Sequence, residues 1–249
     1  MKRHQYGRTP TGPGEYRAGT AELARPKEAA TLIVVRAGPK PTLLMGKRAS
    51  SHRFMPNKFV FPGGRLDLTD QRLQVPGDLS RPVMGRLRKA TRKTVNDRKL
   101  RGLALAAIRE TFEETGLIVG RPASRTVTTT HPVWRDYLAH GAEPPLEHMD
   151  FIARAITPAY RTRRFDTRFF MIHDQFIYND PEQISDASGE LNELHWLTLN
   201  EARRLDLPAV TRWAIDLVEQ RIQLSPAEQL KQTSPFLRFI KGQEISINL

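Results

Sequence analysis

Two apolar blocks, Ala30–Arg36 (ATLIVVR) and Thr42–Lys47 (TLLMGK), flank the turn sequence Gly38-Pro39-Lys40-Pro41. Short β-branched, apolar runs bounded by Gly and Pro predict two strands around a turn. Phe59-Val60-Phe61 predicts a third short strand, broken by Pro62-Gly63-Gly64. From about Gln71 to Arg101 the apolar period fades and cations accumulate. Arg81, Arg86, Arg88, Lys89, Arg92, Lys93, Arg98, Lys99 and Arg101 face Asp97 as the sole acid after Arg81. That composition predicts an inserted, solvent-exposed and partly mobile excursion rather than core. Leu103 to Thr115 then predicts a helix, ended by Gly116, the residue best suited to the left-handed conformation after a last helical turn.

Further along, Trp134–His140 and Leu146–Arg154 predict short helices, and Thr167–His173 (TRFFMIH) and Glu193–Leu197 (ELHWL) predict strands. Helices are expected over Thr198–Leu205 and Pro208–Gln223. The second is amphipathic through Val210, Trp213, Ala214, Leu217, Val218 and Ile222. Residues 1–28, rich in Gly and Pro, read as a mobile arm, 29–224 as one domain with an insertion at about 71–101, and 225–249 as a C-terminal tail. Strands mixed with flanking helices, without regular βα alternation, place the chain in the α+β class, a mixed sheet sandwiched by helices.

Composition narrows the chemistry. The absence of cysteine removes disulfides, thiolate nucleophiles, iron–sulfur clusters and cysteine zinc sites, so any metal must sit on oxygen or imidazole. The histidines show no H-E-x-x-H or H-x-x-x-H spacing, which argues against a zinc protease helix. A formal net charge of +12 implies an electropositive surface that attracts anions, whether nucleotides, nucleic acid or acidic membranes. No apolar run approaches the ~20 residues of a membrane span, and Met1-Lys2-Arg3-His4 leads into no apolar signal-peptide core. A cytoplasmic protein without a membrane partner is the expectation, with the oligomeric state left open and a homodimer compatible with it.

The helix before Gly116 carries the candidate chemistry. At about 100° per residue, Glu113 and Glu114 lie roughly −60° and +40° from Glu110, so the three carboxylates share one sector. Leu105, Ile108 and Phe112 fall on the opposite one, while Ala106 and Ala107 leave little bulk beside the acids. Like charges at i,i+3 and i,i+4 each cost a helix roughly 0.2–0.5 kcal/mol, and near a C-terminus the helix dipole adds to the penalty. A bound divalent cation reverses that sign, and hard cations such as Mg²⁺ take such oxygen ligands. An E-x-x-E-E pattern alone is equally the solvated face of an amphipathic helix.

The neighbouring residues weaken the solvated-face reading. Arg109-Glu110-Thr111-Phe112-Glu113-Glu114-Thr115-Gly116-Leu117 resembles the second half of the Nudix signature, and Phe61-Pro62-Gly63-Gly64 resembles the strand-to-loop segment that opens it. The chain departs from the compact signature in three ways. Forty-four residues separate Gly64 from Arg109 where the compact form has thirteen, Asp70 takes the spacing of the first glutamate, and Thr111 takes a bulky aliphatic position. With Phe54-Met55-Pro56, the run from Val60 to Asp67, and Thr157-Pro158 ahead of Arg163–Phe170, this split box is similar to the Nudix group that includes the peroxisomal coenzyme A diphosphatase.

The resemblance implies a Nudix α/β/α sandwich and a pyrophosphohydrolase dependent on Mg²⁺ or Mn²⁺. It implies metal ligation by Glu110, Glu113 and Glu114, with the Gly63 carbonyl added, and Arg109 orienting a glutamate by a charge-assisted hydrogen bond. Glu190 and Glu193 are candidates for a further acid. Gly64 and Arg65 are expected at the substrate. Arg163 and Arg164 either bind a substrate phosphate or cover a sheet edge, and Asp166 is a candidate partner for one of them. No ligand role is expected for Trp134, Trp196 or Trp213. The implied substrate is a nucleoside-diphosphate-linked small molecule, coenzyme A or acyl-coenzyme A in the first place, with ADP-ribose, NADH or an RNA cap as alternatives. From another class, a catalytically silent Nudix-fold module could bind RNA through the basic insertion. Intact acids argue against silence, and the lack of aromatic residues between Arg81 and Arg101 argues against base stacking.

Overall fold

The computed structural model describes residues 24–51, 55–89, 91, 94–182, 190–240 and 243–249. Its first half contains β1 (Lys27–Arg36), β2 (Thr42–Arg48), β3 (Phe59–Val60), β4 (Gly63–Arg65), α1 (Leu68–Arg72), α2 (Arg81–Lys89), α3 (Asp97–Thr115) and β5 (Arg121–Pro122). There follow α4 (Pro132–Ala139), β6 (Ala142–Glu143), β7 (Asp150–Ile156), β8 (Phe165–His173), β9 (Leu191–Thr198), α5 (Leu199–Arg204), α6 (Ala209–Ile222), α7 (Pro226–Lys231), β10 (Pro235–Ile240) and β11 (Gln243–Asn248). The main sheet runs β11-β10-β7-β8-β1-β2-β3, with β4 added to β1 and β9 to β2. It is mixed: β1 lies parallel to β8 and β10 to β7, whereas β7 and β8 are antiparallel.

Strand β1 shows why the sheet has two dry faces. Alternate residues Ala30, Leu32 and Val34 belong to the core under α2, α3 and α4, while Ile33 and Val35 belong to the core under α5 and α6. With helices on both sides, no position of the strand centre is free for a polar residue, hence its continuous apolar run. This is the expected α+β sandwich.

Four stretches differ from the sequence-based expectation. The basic segment is not a solvated excursion: Leu73, Val75, Leu79, Val83, Met84 and Leu87 are buried in the α3-side core. Its cations concealed an apolar stripe, and some are structural. Arg86 pairs with buried Asp150 and donates to the carbonyl oxygens of Leu230 at 3.1 Å and Gln232 at 2.8 Å. Arg101 donates to those of Leu73 at 2.9 Å and Val75 at 2.7 Å. Accordingly α3 begins at Asp97, capped by Asn96, six residues earlier than the apolar period predicts. Leu146–Arg154 is a single 3-10 turn, Leu146–His148, followed by strand β7, because Phe151, Ile152 and Ala153 fill both faces of the sheet and leave no helical stripe. The stretch expected as a tail supplies α7, β10 and β11, and Phe236 and Leu237 of β10 are buried. Strand β1 starts at Lys27, inside the expected arm, whose residues 1–23 lie outside the described residues. Among the described residues no helix is long and apolar enough to cross a membrane.

Candidate active site

Helix α3 is fixed to the sheet by a face on which Leu100, Leu103, Ala104, Ala107 and Ile108 are fully buried. Thr111, in the aliphatic position of the signature, is buried too and returns its hydroxyl to the Ala107 carbonyl oxygen at 2.8 Å, so the polar atom is satisfied within the helix. Gly116 ends the helix at φ 70° and donates its N–H to Phe112 O. The acids on the last turns are thereby set in position by packing that they do not themselves provide.

Strand β4 meets this helix edge. Its pairing with β1, Ala30 opposite Gly64 and Thr31 opposite Gly63, brings the glycines against the acids. The Gly63 N–H donates to Glu114 Oε2 at 2.9 Å. A Cβ on Gly64 would fall 2.3 Å from the Glu110 carboxyl carbon, and one on Gly63 would fall 2.5 Å from the Ala30 carbonyl oxygen. Both positions therefore require glycine for close approach, a need that the Pro62-Gly63-Gly64 sequence signals.

Arg109 organises the cluster. Its guanidinium grips Asp70 with Nε at 2.9 Å and Nη2 at 3.0 Å, donates to the Arg65 carbonyl oxygen at 2.9 Å, and reaches Glu110 at 2.9 Å and Glu113 at 3.3 Å. Asp70 is fully buried, and it also accepts the Trp134 indole N–H at 2.8 Å and the Asp67 backbone N–H at 2.8 Å. Asp70, at the first-glutamate spacing, is thus a fixed anchor for Arg109 across the inserted residues. Trp134, for which no ligand role was expected, is a buried support for that anchor. Burial opposes the Arg109 charge, but Asp70 and Glu110 outweigh it and hold the guanidinium more firmly protonated than usual.

The carboxylates carry the opposite stress. Burial, then Glu113 and Asp70, push Glu110 up to about 7 against the pull of Arg109. Burial and the charge of Glu110 raise Glu114 well above the carboxylate range, opposed by the Gly63 N–H and by Arg48. Such acids, like-charged, desolvated and all-oxygen, have the donor chemistry that a hard divalent cation relieves. As they stand, Glu110 and Glu113 turn toward Arg109, and among the described residues no group of three acids converges to enclose an ion.

The acids open onto a cavity of about 890 Å³, lined by Glu110, Glu113, Arg109, Gly63, Gly64 and Arg65 and continuing across β1, β7, β8 and β10. Arg163 and Arg164 both reach it. They are not equivalent. Arg164 donates to the carbonyl oxygens of Thr157 at 3.0 Å and Ala24 at 2.9 Å, a framework role, whereas the exposed Arg163 has no partner for its side chain among the described residues. Asp166 pairs with neither; on β8 it binds Arg154 of the neighbouring strand through Nε at 2.7 Å and Arg168, two residues on and on the same face, at 3.0 Å. Glu190 lines the cavity, but Glu193 is bound to Lys47 at 2.9 Å and lies outside it. Arg48, at the end of β2, was not singled out from the sequence. It lines the cavity and feels both Glu114 and Glu190, although burial lowers its affinity for a proton. No motif marked it; only the sheet pairing reveals that it, rather than Lys47, faces the acids.

No family model matches the chain. It is 27% identical over 183 residues to a protein of Caenorhabditis elegans named putative nudix hydrolase 7, covering 69% of this chain and 52% of that protein. It is 24% identical over 206 residues to acyl-coenzyme A diphosphatase NUDT19 of Xenopus laevis, covering 64% of this chain and 53% of the relative. The chain thus spans about half the length of the curated relatives it matches. In structure it is similar to a NUDIX hydrolase of Alicyclobacillus acidocaldarius, with a TM-score of 0.57 and 25% identity over 80% of this chain and 93% of the other. The fold is that of the Nudix hydrolases. The sequence is similar to theirs, including two curated relatives, one of them named as an acyl-coenzyme A diphosphatase.

Proposed function

We propose that the chain is a divalent-metal-dependent pyrophosphohydrolase that cleaves the phosphoanhydride bond of a nucleoside-diphosphate-linked small molecule. The observation that carries this reading is the meeting of the α3 carboxylates with Gly63, Gly64 and Arg109 at one end of a large cavity. Glu110, Glu113 and Glu114, with the Gly63 carbonyl, would hold Mg²⁺ or Mn²⁺, which when bound neutralises a diphosphate and lowers the pKa of water. Arg109, fixed by Asp70, holds Glu110 and Glu113 beside one another, where they would be available to the cation. Gly64 keeps the floor beside Glu110 free of side chain, so that a phosphate can approach. Glu190, on the other wall, is the candidate to accept the proton from attacking water, and Arg65 and Arg163 are cations available to substrate oxygens.

A coenzyme A-type diphosphate is the favoured substrate. The relative named as an acyl-coenzyme A diphosphatase supports it, as does Arg163, which among the described residues has no side-chain partner at the cavity and would suit a phosphate beyond the diphosphate. The test is product analysis with coenzyme A, an acyl-coenzyme A, NADH, ADP-ribose and capped RNA, each with Mg²⁺, Mn²⁺ or chelator. Metal-dependent release of two phosphomonoesters from the coenzyme A compounds is expected. Efficient hydrolysis of capped RNA or ADP-ribose alone would overturn the substrate, and metal-independent or absent hydrolysis of all five would overturn the reaction.

A further inference from the structure

The cavity has two chemically different ends. Around the acids its wall is charged, with Lys27, Arg48, Arg65 and Arg109 close to Glu110 and Glu113. Away from them the floor is made of small residues, Ala29 of β1, Ala155 of β7 and Thr167 of β8, and the side walls of larger apolar ones together with Arg161, Arg163 and Arg164 from the segment before β8. Phe169 stands on β8 and packs edge-on against Trp213 of α6, with ring centroids 6.4 Å apart. Small residues on adjacent strands hollow a sheet surface, and large apolar neighbours keep the hollow from filling.

The end wall comes from the C-terminal hairpin. Strand β10 joins the sheet beside β7 through Phe236 opposite Arg154 and Leu237 opposite Ala155, which turns Leu237 and Phe239 toward the hollow. Tyr160, from the segment between β7 and β8, meets Phe239 edge to face, ring centroids 6.3 Å apart, and lines the cavity with it. Glu244 of β11 lines the same wall.

Building on the proposed hydrolase, we propose that the hairpin determines specificity: Leu237 and Phe239, with Tyr160, receive an uncharged apolar substituent of the substrate remote from the scissile diphosphate. The occupant is the substrate's own tail, because the hollow and the carboxylate site are parts of one cavity. An apolar substituent loses little by leaving water and gains the ring faces and the alanine floor. The charged end fixes the diphosphate in either case, so the hairpin acts on which diphosphates bind, not on bond cleavage.

The test compares Phe239→Ala, Phe239→Leu and Tyr160→Ala with wild type on coenzyme A and on a medium-chain S-acyl-coenzyme A. Phe239→Ala is expected to raise KM for the acyl compound by about tenfold, the scale of losing one or two methylene contacts in an apolar pocket, while KM for free coenzyme A and both kcat values stay within about twofold. Phe239→Leu should recover most of the loss. Binding of both compounds to the Glu114→Gln background, by calorimetry, should show the same selective loss without turnover. A folded Phe239→Ala protein that loses affinity for both compounds equally, or for neither, would overturn the role of the wall. If neither compound is bound or cleaved by wild type, it is the substrate reading that fails, and a melting temperature that falls in all three variants with unchanged selectivity would reduce the hairpin to a structural element.

Discussion

Glu114 and Gly64 show how individual residues trade stability for chemistry. Glu114 is almost fully buried, accepts the Gly63 N–H, and lies beside the half-buried Glu110. A charge so placed is costly unless something of opposite sign joins it. Glu114→Gln removes the charge and keeps the shape, so unfolding measured without metal should show an equal or higher melting temperature than wild type. Turnover should nevertheless fall by about 10²–10³-fold, the scale of losing one electrostatic group at a reacting centre. A variant with near-wild-type turnover would remove Glu114 from the metal-binding role. Gly64 presents the opposite case. Adding one methyl drives it into the Glu110 carboxylate, and Glu110 can move only by breaking its 2.9 Å ion pair with Arg109. Gly64→Ala should cost about 1–3 kcal/mol of stability, as overpacking does, and should also abolish hydrolysis. Chemical denaturation and a kcat assay on the same preparation check both; an active, equally stable Gly64→Ala protein would contradict the close approach.

At the scale of elements, α2 decides how the inserted residues are to be understood. Val83 and Leu87 are fully buried in the core shared with α3, on a helix whose other positions are largely basic. Truncating Leu87 to Ala should therefore destabilise the protein by about 2–5 kcal/mol, with the midpoint of urea unfolding as the measure. An effect within about 0.5 kcal/mol, typical of surface sites, would return the segment to the solvated reading. The same element shows what was legible in the sequence. Carboxylate periodicity on α3 and the apolar runs of β1 and β2 are local signals, and the structure has them where the sequence puts them, whereas the expected break at Pro62-Gly63-Gly64 falls at Phe61-Pro62 and the two glycines start strand β4. The fold of the insertion depends on distant partners: Arg86 enters the interior because Asp150 and the carbonyls of Leu230 and Gln232 at the C-terminal end of α7 await it. Nothing near Arg86 in sequence records those groups. For the same reason β7 was read as helix and β10–β11 as tail, since strand pairing across the chain outweighs local pattern. Arg48 and Glu190 reach the site only through that pairing.

Over the whole molecule, the surplus of positive charge is unevenly spent. Arg86, Arg109, Arg154 and Arg168 are tied to acids in or near the cores, so their charge is locally balanced. Lys27, Arg65 and Arg163 line the cavity and, among the described residues, have no ion-pair or hydrogen-bond partner for their side chains. They share that lining with Glu110, whose carboxyl is pushed up to about 7 by burial and so is a weaker counterion than an ordinary carboxylate. The cavity mouth should then draw anions toward the acids, and exposed charges acting over that range are screened within about 8–10 Å at ordinary ionic strength. The expected consequence is kinetic. At saturating metal, kcat/KM for a coenzyme A-type substrate should fall several-fold as NaCl rises from about 0.05 to about 0.5 M, while kcat changes little, because salt weakens encounter rather than the bound transition state. Arg163→Gln should flatten that salt dependence and lower kcat/KM most at low salt, with the smaller loss left at high salt measuring its direct contact with a substrate oxygen. A salt-insensitive kcat/KM in wild type, or a salt dependence in Arg163→Gln as steep as that of wild type, would remove Arg163 from steering and would reassign the molecule's surplus charge to surfaces away from the cavity.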